Sequence, residues 1–405
     1  MHLLRWLTSR TVRKAGELED AVRKVLNHQR DVLPPNAVGA VEDSLRTFKA
    51  AVRDGASSRE IEAQMKSLEQ VAGQWLQTYP RHSLRENLVM LLEIAVLIVG
   101  SRAFLIQPMV IPTGSAQPTL WGVTSQDLRE VPGGRIPSLP VRLWEKVMGG
   151  VSYYHITAPA DLELRGFQEQ PRTIVPFVKR QEILTSAGPI PVWFPPEGFA
   201  QHLGLLDASG RPKQLRFRKG EDLVFARVVT GDHLFVERMT YNFRRPQRGE
   251  TIVFRSEHHP GMTPDTHYIK RLVGLGGETI RIGNDRHAYI NGRELTAADP
   301  GFERVYSFNP ATPPRPNVYS GHVNGTVWQA VAGNSGPTRN FPNGAAEVRI
   351  RPNHYVTFGD NTMNSADSRS WPVPDFPQEQ VIGKRWMVFW PFVREGRWNA
   401  GWGAR

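Results

Sequence analysis

Residues 250–255 read ETIVFR and residues 268–275 read YIKRLVGL. Both are short runs rich in β-branched and aromatic residues, with apolar side chains recurring at alternate positions. That is the pattern of strands with at least one buried face. Moving outward, the same texture continues: DLVFARVV (222–229), HLFVERM (233–239), ETIRIG (278–283), HAYING (287–292), HYVTFGD (354–360) and KRWMVFW (384–390), with TIVPFV (173–178) upstream. Gly- and Pro-containing turns separate the runs, and no repeat of 20–50 residues is visible. Everything after residue 107 therefore reads as mainly β. Residues 295–350, rich in Pro, Gly and Asn, read as long loops with short strands. Gly274-Leu275-Gly276-Gly277 follows a strand but opens no helical pattern, so it reads as a turn and not a dinucleotide-binding fingerprint.

The 405 residues exceed one ordinary domain, and 40% hydrophobic with 22% charged residues excludes global disorder. There is no cysteine. This removes a disulfide scaffold, a thiolate metal site and a cysteine nucleophile. Lys+Arg 50 against Asp+Glu 39 gives +11, a balance that favours anionic surfaces. The basic residues are scattered along the chain, so lipid headgroups suit them at least as well as nucleic acid.

One segment departs from the average. Leu88 to Ile106 reads LVMLLEIAVLIVGSRAFLI. As a helix it would be roughly 28 Å long, against a hydrocarbon core of about 30 Å. Arg102 lies where it can snorkel, while Glu93 lies deeper. The alternative is a buried or interfacial helix of a soluble protein; length and continuity favour a membrane span. More than eighty residues precede the segment, so it is not a cleaved leader. Arg81 and Arg85 flank it on the N-terminal side, and after Arg102 no Lys or Arg appears until Arg129. The positive-inside rule then predicts a cytoplasmic N-terminus, with everything after Gln107 on the other side. Before the span, apolar residues at helical spacing (Leu18, Val22, Val25, Leu26; Ile61, Met65, Leu68, Val71), broken by Pro34-Pro35 and Asp54-Gly55, predict helical hairpins.

Three segments carry candidate chemistry. Ile111-Pro112-Thr113-Gly114-Ser115-Ala116-Gln117-Pro118-Thr119-Leu120 is a rigid Pro/Gly turn that can present a hydroxyl and backbone N–H groups. A nucleophilic serine needs a base, and none of the twelve histidines has a telling context; His258-His259 falls in a loop. On a strand, Lys270 shares a face with Tyr268 and Leu272, while Arg271 points the other way. It is either a solvated lysine on an edge strand or a buried base. As a base near neutrality it must fall by roughly 2–3 units from ~10.4, which burial can supply. Phe358 to Arg369 is dense in Asn, Asp, Ser and Thr. It reads either as a self-braced Asx turn or as a set of groups fixing a site.

Together and in this order, the segments resemble type I signal peptidase, the membrane-bound Ser/Lys protease family of bacteria. That family's first motif, Pro-Ser-Gly-Ser-Met-x-Pro-Thr-Leu, is matched by Pro112–Leu120 except at Thr113 and Ala116. Gly231-Asp232-His233-Leu234-Phe235-Val236, the stretch 241–250, Lys270-Arg271-Leu272-Val273-Gly274-Leu275, the complete Gly-Asp-Asn-x-x-Asn-Ser-x-Asp-Ser-Arg at 359–369, and Val381-Ile382-Gly383-Lys384 match further motifs. The resemblance covers 95–120 and 231–392.

The resemblance implies that Ser115 is the nucleophile and Lys270 the general base. Thr113 would supply an oxyanion hydroxyl alongside the Ser115 N–H, and Ser365 would orient the lysine amine. Asp360 would pair with Arg271, while Asp367 and Arg369 would brace the site. Ile111 and Ile269 would line shallow substrate pockets, with Ala116, in place of methionine, altering a wall. The implied activity is removal of N-terminal signal peptides from exported preproteins through an acyl-enzyme. The implied partners are preproteins with Ala-x-Ala-like sites, membrane lipid and the translocon, with no nucleic acid, no cofactor and no metal. The implied location is the bacterial inner membrane, single-pass, with an extracytoplasmic antiparallel β catalytic domain.

The expected organisation is a cytoplasmic helical extension (1–83), a transmembrane helix (84–106), the catalytic domain (107–120 and 231–405) and a β-rich insertion (121–230), where the family has a short link. Two other readings remain: a self-cleaving repressor of the same β-fold, against which the span and the lack of a DNA-binding helix pair argue, and a catalytically inactive membrane-anchored scaffold.

Overall fold

The structure, a computed structural model, describes residues 9–77, 82–169, 180–196, 198–207, 211–334 and 336–394. The chain divides into two compact units, Met1–Val96 and Leu97–Arg405.

In the first unit, α1 (Arg10–Gln29), α2 (Pro35–Arg53) and α3 (Ser58–Trp75) pack around Val22, Leu26, Val41, Phe48, Ile61 and Leu68. The chain breaks at the two places its Pro-Pro and Asp-Gly pairs predict. Pro35 opens α2 at a first-turn position where its missing N–H costs nothing. Ser57 and Glu60 close a reciprocal capping box on α3. These signals are local in sequence, which is why the helices were legible.

A fourth helix, α4 (His82–Phe104), is long and apolar enough over Asn87–Phe104 to cross a membrane, and none of that stretch is buried. It ends two residues before the predicted limit of the span. Ile106 instead starts β1 (Ile106–Val110), pairing with Glu237. Pro108 disfavours helix at Gln107, and the strand ladder captures the residues beyond it.

The second unit is mainly antiparallel β. Its principal sheet has the order β1–β9–β18–β10–β11–β16–β17, with β9 His233–Glu237, β10 Thr251–Arg255, β11 His267–Leu275, β16 His354–Phe358, β17 Phe376–Pro377 and β18 Val381–Trp390. Thus β11, which carries Lys270, is an interior strand held by β10 and β16. A second sheet, β14–β13–β12–β15, is built from Thr279–Ile282 (β12), Ala288–Ile290 (β13), Arg293–Glu294 (β14) and Glu347–Arg349 (β15).

Between Trp121 and Thr230 the chain forms two further sheets. One, β2–β8–β3, uses Thr124–Asp127 (β2), Val151–Thr157 (β3) and Asp222–Val229 (β8). The other, β6–β5–β4–β7, uses Leu162–Glu169 (β4), Arg180–Thr185 (β5), Gly188–Trp193 (β6) and Arg216–Phe217 (β7). This stretch also contains a helix that β-periodicity did not predict, α5 (Leu139–Gly149), with Pro140 in its first turn and Gly150 as its left-handed cap. Another unpredicted helix, α6 (Gly325–Ala332), comes after the N-cap Asn324. The TIVPFV run lies outside the described residues.

Candidate active site

The loop carrying Ser115 leaves β1, the first strand of the principal sheet, and is closed at its base by main-chain bonds. Ile111 N donates to Asp232 O at 2.9 Å, Asp232 N to Trp121 O at 2.8 Å and Val123 N to Pro112 O at 3.2 Å. The Asp232 carboxylate accepts from Trp121 N at 2.9 Å. Gly231 is required here by close approach: a Cβ would lie 1.7 Å from the Ile111 carbonyl oxygen. The Gly-Asp pair ahead of β9 thus cinches the two ends of the serine loop. Within the loop, Gly114–Ala116 form one 3₁₀ turn and Leu120 N returns to Ala116 O.

Lys270 lies opposite Ile252 on β10, and its side chain reaches the loop, where Nζ lies 2.5 Å from Ser115 Oγ. Lys270 is 4% exposed. Burial lowers the amine to about 8; the charge of Asp367 opposes that fall, Arg369 assists it, and Asp360 opposes it. Burial penalises the ammonium more than the free amine, so about a tenth of the amine is neutral at pH 7 and about half at pH 8. A solvated edge-strand lysine would have neither the burial nor the shift.

Two buried ion pairs stand behind the contact between Ser115 and Lys270. Arg271 donates to both Asp360 oxygens, at 2.7 and 2.6 Å, and to the carbonyls of Gly249 and Gly301. Burial alone would raise the Asp360 carboxyl. The charge and hydrogen bonds of Arg271, with the Thr119 hydroxyl, outweigh it and hold the acid below its usual range. Arg369 donates to both oxygens of Asp367 at 2.9 Å and ties down Thr362. Asp367 also accepts from Gly359 N at 2.9 Å. Gly359 must lack a side chain, because its Cβ would lie 2.1 Å from Ser365 Oγ and 2.5 Å from Ser115 O. Such pairs are geometrically demanding and cost much when one member is lost.

A third network joins the serine loop to the 315–320 loop. Asn361 N donates to Ser115 O at 3.1 Å, and Asn361 Nδ2 donates to Gly114 O and to Asn317 Oδ1, each at 2.8 Å. Asn317 N returns a bond to Asn361 Oδ1 at 3.0 Å. Asn317 has φ 65°, a left-handed conformation that asparagine tolerates better than most side chains. Tyr319 OH lies 2.9 Å from Thr119 Oγ1, which itself donates to Asp360. We expect Asn361→Ala, which removes the side-chain bonds but keeps the main-chain one, to speed amide exchange in Gly114–Leu120 by about fivefold to tenfold, the worth of roughly 1 kcal/mol of hydrogen bonding. Hydrogen exchange read by mass spectrometry checks this; unchanged protection would show that the clasp does not hold the loop.

Most of the residues predicted from motifs are brought together. Ser115 and Lys270 meet, Arg271 meets Asp360, and Asp367 meets Arg369. Thr113 is exposed, and its side chain does not cap the 3₁₀ turn. Ser365 is buried beside Gly359 and the Ser115 carbonyl, but its Oγ has no hydrogen-bond partner among the described residues, so it makes no bond to the lysine amine in this state. Ile111 and Ala116 are buried in a cluster with Leu120, Leu234, Val236 and Val253, and Ile269 packs against it half-buried. Sequence reasoning missed Thr119, Asn317, Tyr319 and Asn361 as positioning groups. Thr119 and Asn361 stand inside the quoted motifs, whereas Asn317 and Tyr319 lie in a stretch whose only signal was its loop composition.

Residues 225–390 match the family described as signal peptidase, peptidase S26. Lys270 and the 359–369 motif lie inside that segment and Ser115 outside it; the fold brings them together. The chain is 30% identical over 183 residues to signal peptidase I of Pseudomonas fluorescens, covering 40% of this chain and 60% of the relative. It is 30% identical over 186 residues to signal peptidase I of Pseudomonas aeruginosa, covering 40% and 61%. To signal peptidase I P of Bacillus subtilis subsp. natto it is 29% identical, covering 41% and 70%. A crystal structure of a signal peptidase I from Enterococcus faecalis aligns at 23% identity, over 35% of this chain and 97% of that one, with a TM-score of 0.22. Over this part of its length the chain is similar to the type I signal peptidases. It spans about 60% of the length of the first of these relatives.

Proposed function

We propose that the chain is a membrane-anchored serine endopeptidase that removes N-terminal signal peptides from exported preproteins, with Ser115 as nucleophile and Lys270 as general base. The observation that carries this reading is the 2.5 Å contact between a buried amine lowered to about 8 and a serine hydroxyl on a braced loop. The mainly antiparallel β unit and the S26 relatives support the same reading.

In this mechanism the Ser115 hydroxyl donates to the neutral Lys270 amine as Oγ attacks the scissile carbonyl. The Oγ–C bond forms and the proton passes to Nζ. The developing oxyanion is received by the Ser115 N–H and by the Thr113 hydroxyl, which is exposed and can turn toward it; each good donor supplies roughly 3–4 kcal/mol. The C–N bond then breaks, and the leaving amine takes the proton from Lys270. Water, deprotonated by the same amine, releases the acyl group. Ser365 would take up its bond to the amine in the substrate complex, where catalytic hydrogen bonds tighten. The precursor would add as an extended strand beside β1, which stands at the end of the sheet and runs straight into the serine loop. Small residues before the cut would suit the shallow walls formed by Ile111, Ala116 and Ile269.

The proposed topology has α1–α3 in the cytoplasm, α4 across the inner membrane and the β unit outside. The Arg81 and Arg85 flank and the apolar surface of α4 support it.

The test is incubation of the full chain in detergent with a purified preprotein, with the product's new N-terminus read by mass spectrometry. We expect one cut after an Ala-x-Ala-like site. Because the neutral amine is the active form, kcat/KM should rise about tenfold per pH unit below about 8 and level off above it. A rate that is flat from pH 6 to 9, or no cleavage at all, would reject the lysine base or the activity respectively.

A further inference from the structure

Helix α5 (Leu139–Gly149) is amphipathic the wrong way round for a helix on a water-exposed surface. At 100° per residue, Leu139, Leu143, Val147 and Trp144 fall on one continuous arc, Arg142 and Glu145 lie on the other side, and Lys146 stands at the boundary, about 20° from Leu139. A surface helix ordinarily turns its apolar arc inward. Here none of its residues is buried, and Leu139, Leu143, Trp144 and Val147 are 57–66% exposed. The polar side does the docking: Tyr153 OH donates to Glu145 Oε2 at 2.8 Å, and Lys146 Nζ to Ser152 Oγ at 3.1 Å, both partners lying on β3. The C-terminal end is fixed to the strand β18 and to the residues just after it, with Trp390 Nε1 donating to Val147 O at 2.7 Å and Val393 N to Met148 O at 3.0 Å. The helix is therefore held firmly with its apolar arc outward.

A second element contributes to the same face. Trp193 and Phe194, at the end of β6, are also more than half exposed. With Leu139 and Leu143, and with Arg142 and Lys146, they line one shallow hollow. Phe194 is held at φ 54°, an unusual conformation for a bulky side chain.

We propose that α5 and the Trp193–Phe194 tip form an interfacial foot that seats the 121–230 region on an anionic lipid bilayer. The apolar arc projects from the body on an unburied helix, which suits a fluid planar partner. Tryptophans mark it, as they mark membrane–water boundaries. Arg142 stands beside Leu139 and Leu143 at the hollow, where its head reaches lipid phosphates while the arc sinks about 5–10 Å into the boundary. The same chain carries a helix suited to crossing a membrane, so a bilayer is at hand; this step rests on the anchoring proposed above.

The absence of cysteine makes the test clean. The full chain is placed, one copy per nanodisc, in phosphatidylethanolamine–phosphatidylglycerol bilayers. Single cysteines at Leu143→Cys, Val96→Cys and Lys219→Cys each carry an environment-sensitive fluorophore. A nitroxide on the upper acyl chain should quench the label at 143 at least about threefold more strongly than the exposed control at 219, the expectation for a face lying in the acyl boundary. Replacing phosphatidylglycerol by a zwitterionic lipid should reduce that difference. A label at 143 that escapes the nitroxide and is quenched by aqueous iodide like the one at 219 overturns the foot, and so does a label at 143 shielded from both quenchers, the result expected if protein covers the arc. The label at 96 reads the anchor separately: quenching at 143 without quenching at 96 leaves the foot standing and removes the span.

Discussion

Ser115→Ala and Lys270→Met should each abolish preprotein cleavage, with kcat falling by about 10⁴–10⁶, the loss seen when one member of a nucleophile–base unit is removed. The double variant should fall no further, because the two groups act as one unit. Far-UV circular dichroism should not change. Lys270→Met should also raise the melting temperature by a few degrees. Lys270 is 4% exposed on an interior strand, and a thioether of similar length fills that space without a desolvation cost. Loss of activity with gain of stability is the signature of a buried group kept for chemistry. Retained cleavage in either single variant would remove the dyad, and a Lys270→Met chain that melts well below the parent would show the lysine to be structural.

Asp360→Ala carries the largest expected effect on stability. Arg271 is joined to Asp360 by two short bonds, and side-chain exposure in the pair is 9% and 4%. Removing the carboxylate leaves a buried guanidinium without its counter-charge, at a cost of about 3–5 kcal/mol. That is a large part of the roughly 5–15 kcal/mol that holds a domain folded. The tryptophan-fluorescence transition in urea should move to much lower denaturant, and activity should vanish with it. Replacing both partners, as Asp360→Leu with Arg271→Met, should recover much of the stability and none of the geometry at Thr119. The acid limb depends on the same pair. The folded-state acidity of Asp360 is enhanced, so its contribution is intact above the ordinary carboxylate range and is lost only as pH falls through the lower folded value. A melting temperature within about 2 °C of the parent for Asp360→Ala would rule out a large structural role for the pair, since one kcal/mol ordinarily moves Tm by several degrees.

The strands were legible because alternation is local. DLVFARVV, ETIVFR and KRWMVFW became β8, β10 and β18 within a few residues. The helices α1–α3 were legible through their breaks and caps. Helix α5 was not. Its apolar residues do recur at helical spacing, but the surrounding strand texture dominated the reading, and no periodicity says which way an amphipathic face will point. Helix α6 was hidden inside a Pro/Gly/Asn-rich stretch, where the N-cap Asn324 and the C-cap Gly333 do not stand out from the composition around them. At the site, Ser115, Lys270, Asp360 and Arg271 were found through ordered motifs. Asn317 was not, since its contribution depends on a left-handed backbone and on a partner 44 residues away.

The amino-acid order by itself determined the alternation that makes β-strands, the apolar run of α4 and the groups available for chemistry, because those properties depend on neighbours a few positions apart. Only the tertiary structure decided that a lysine 155 residues beyond a serine would touch it in a water-poor place, and that α5 would dock by its polar side. Burial, and with it an amine's affinity for its proton, depends on which strands flank β11. That is set by long-range pairing that no local stretch of sequence encodes.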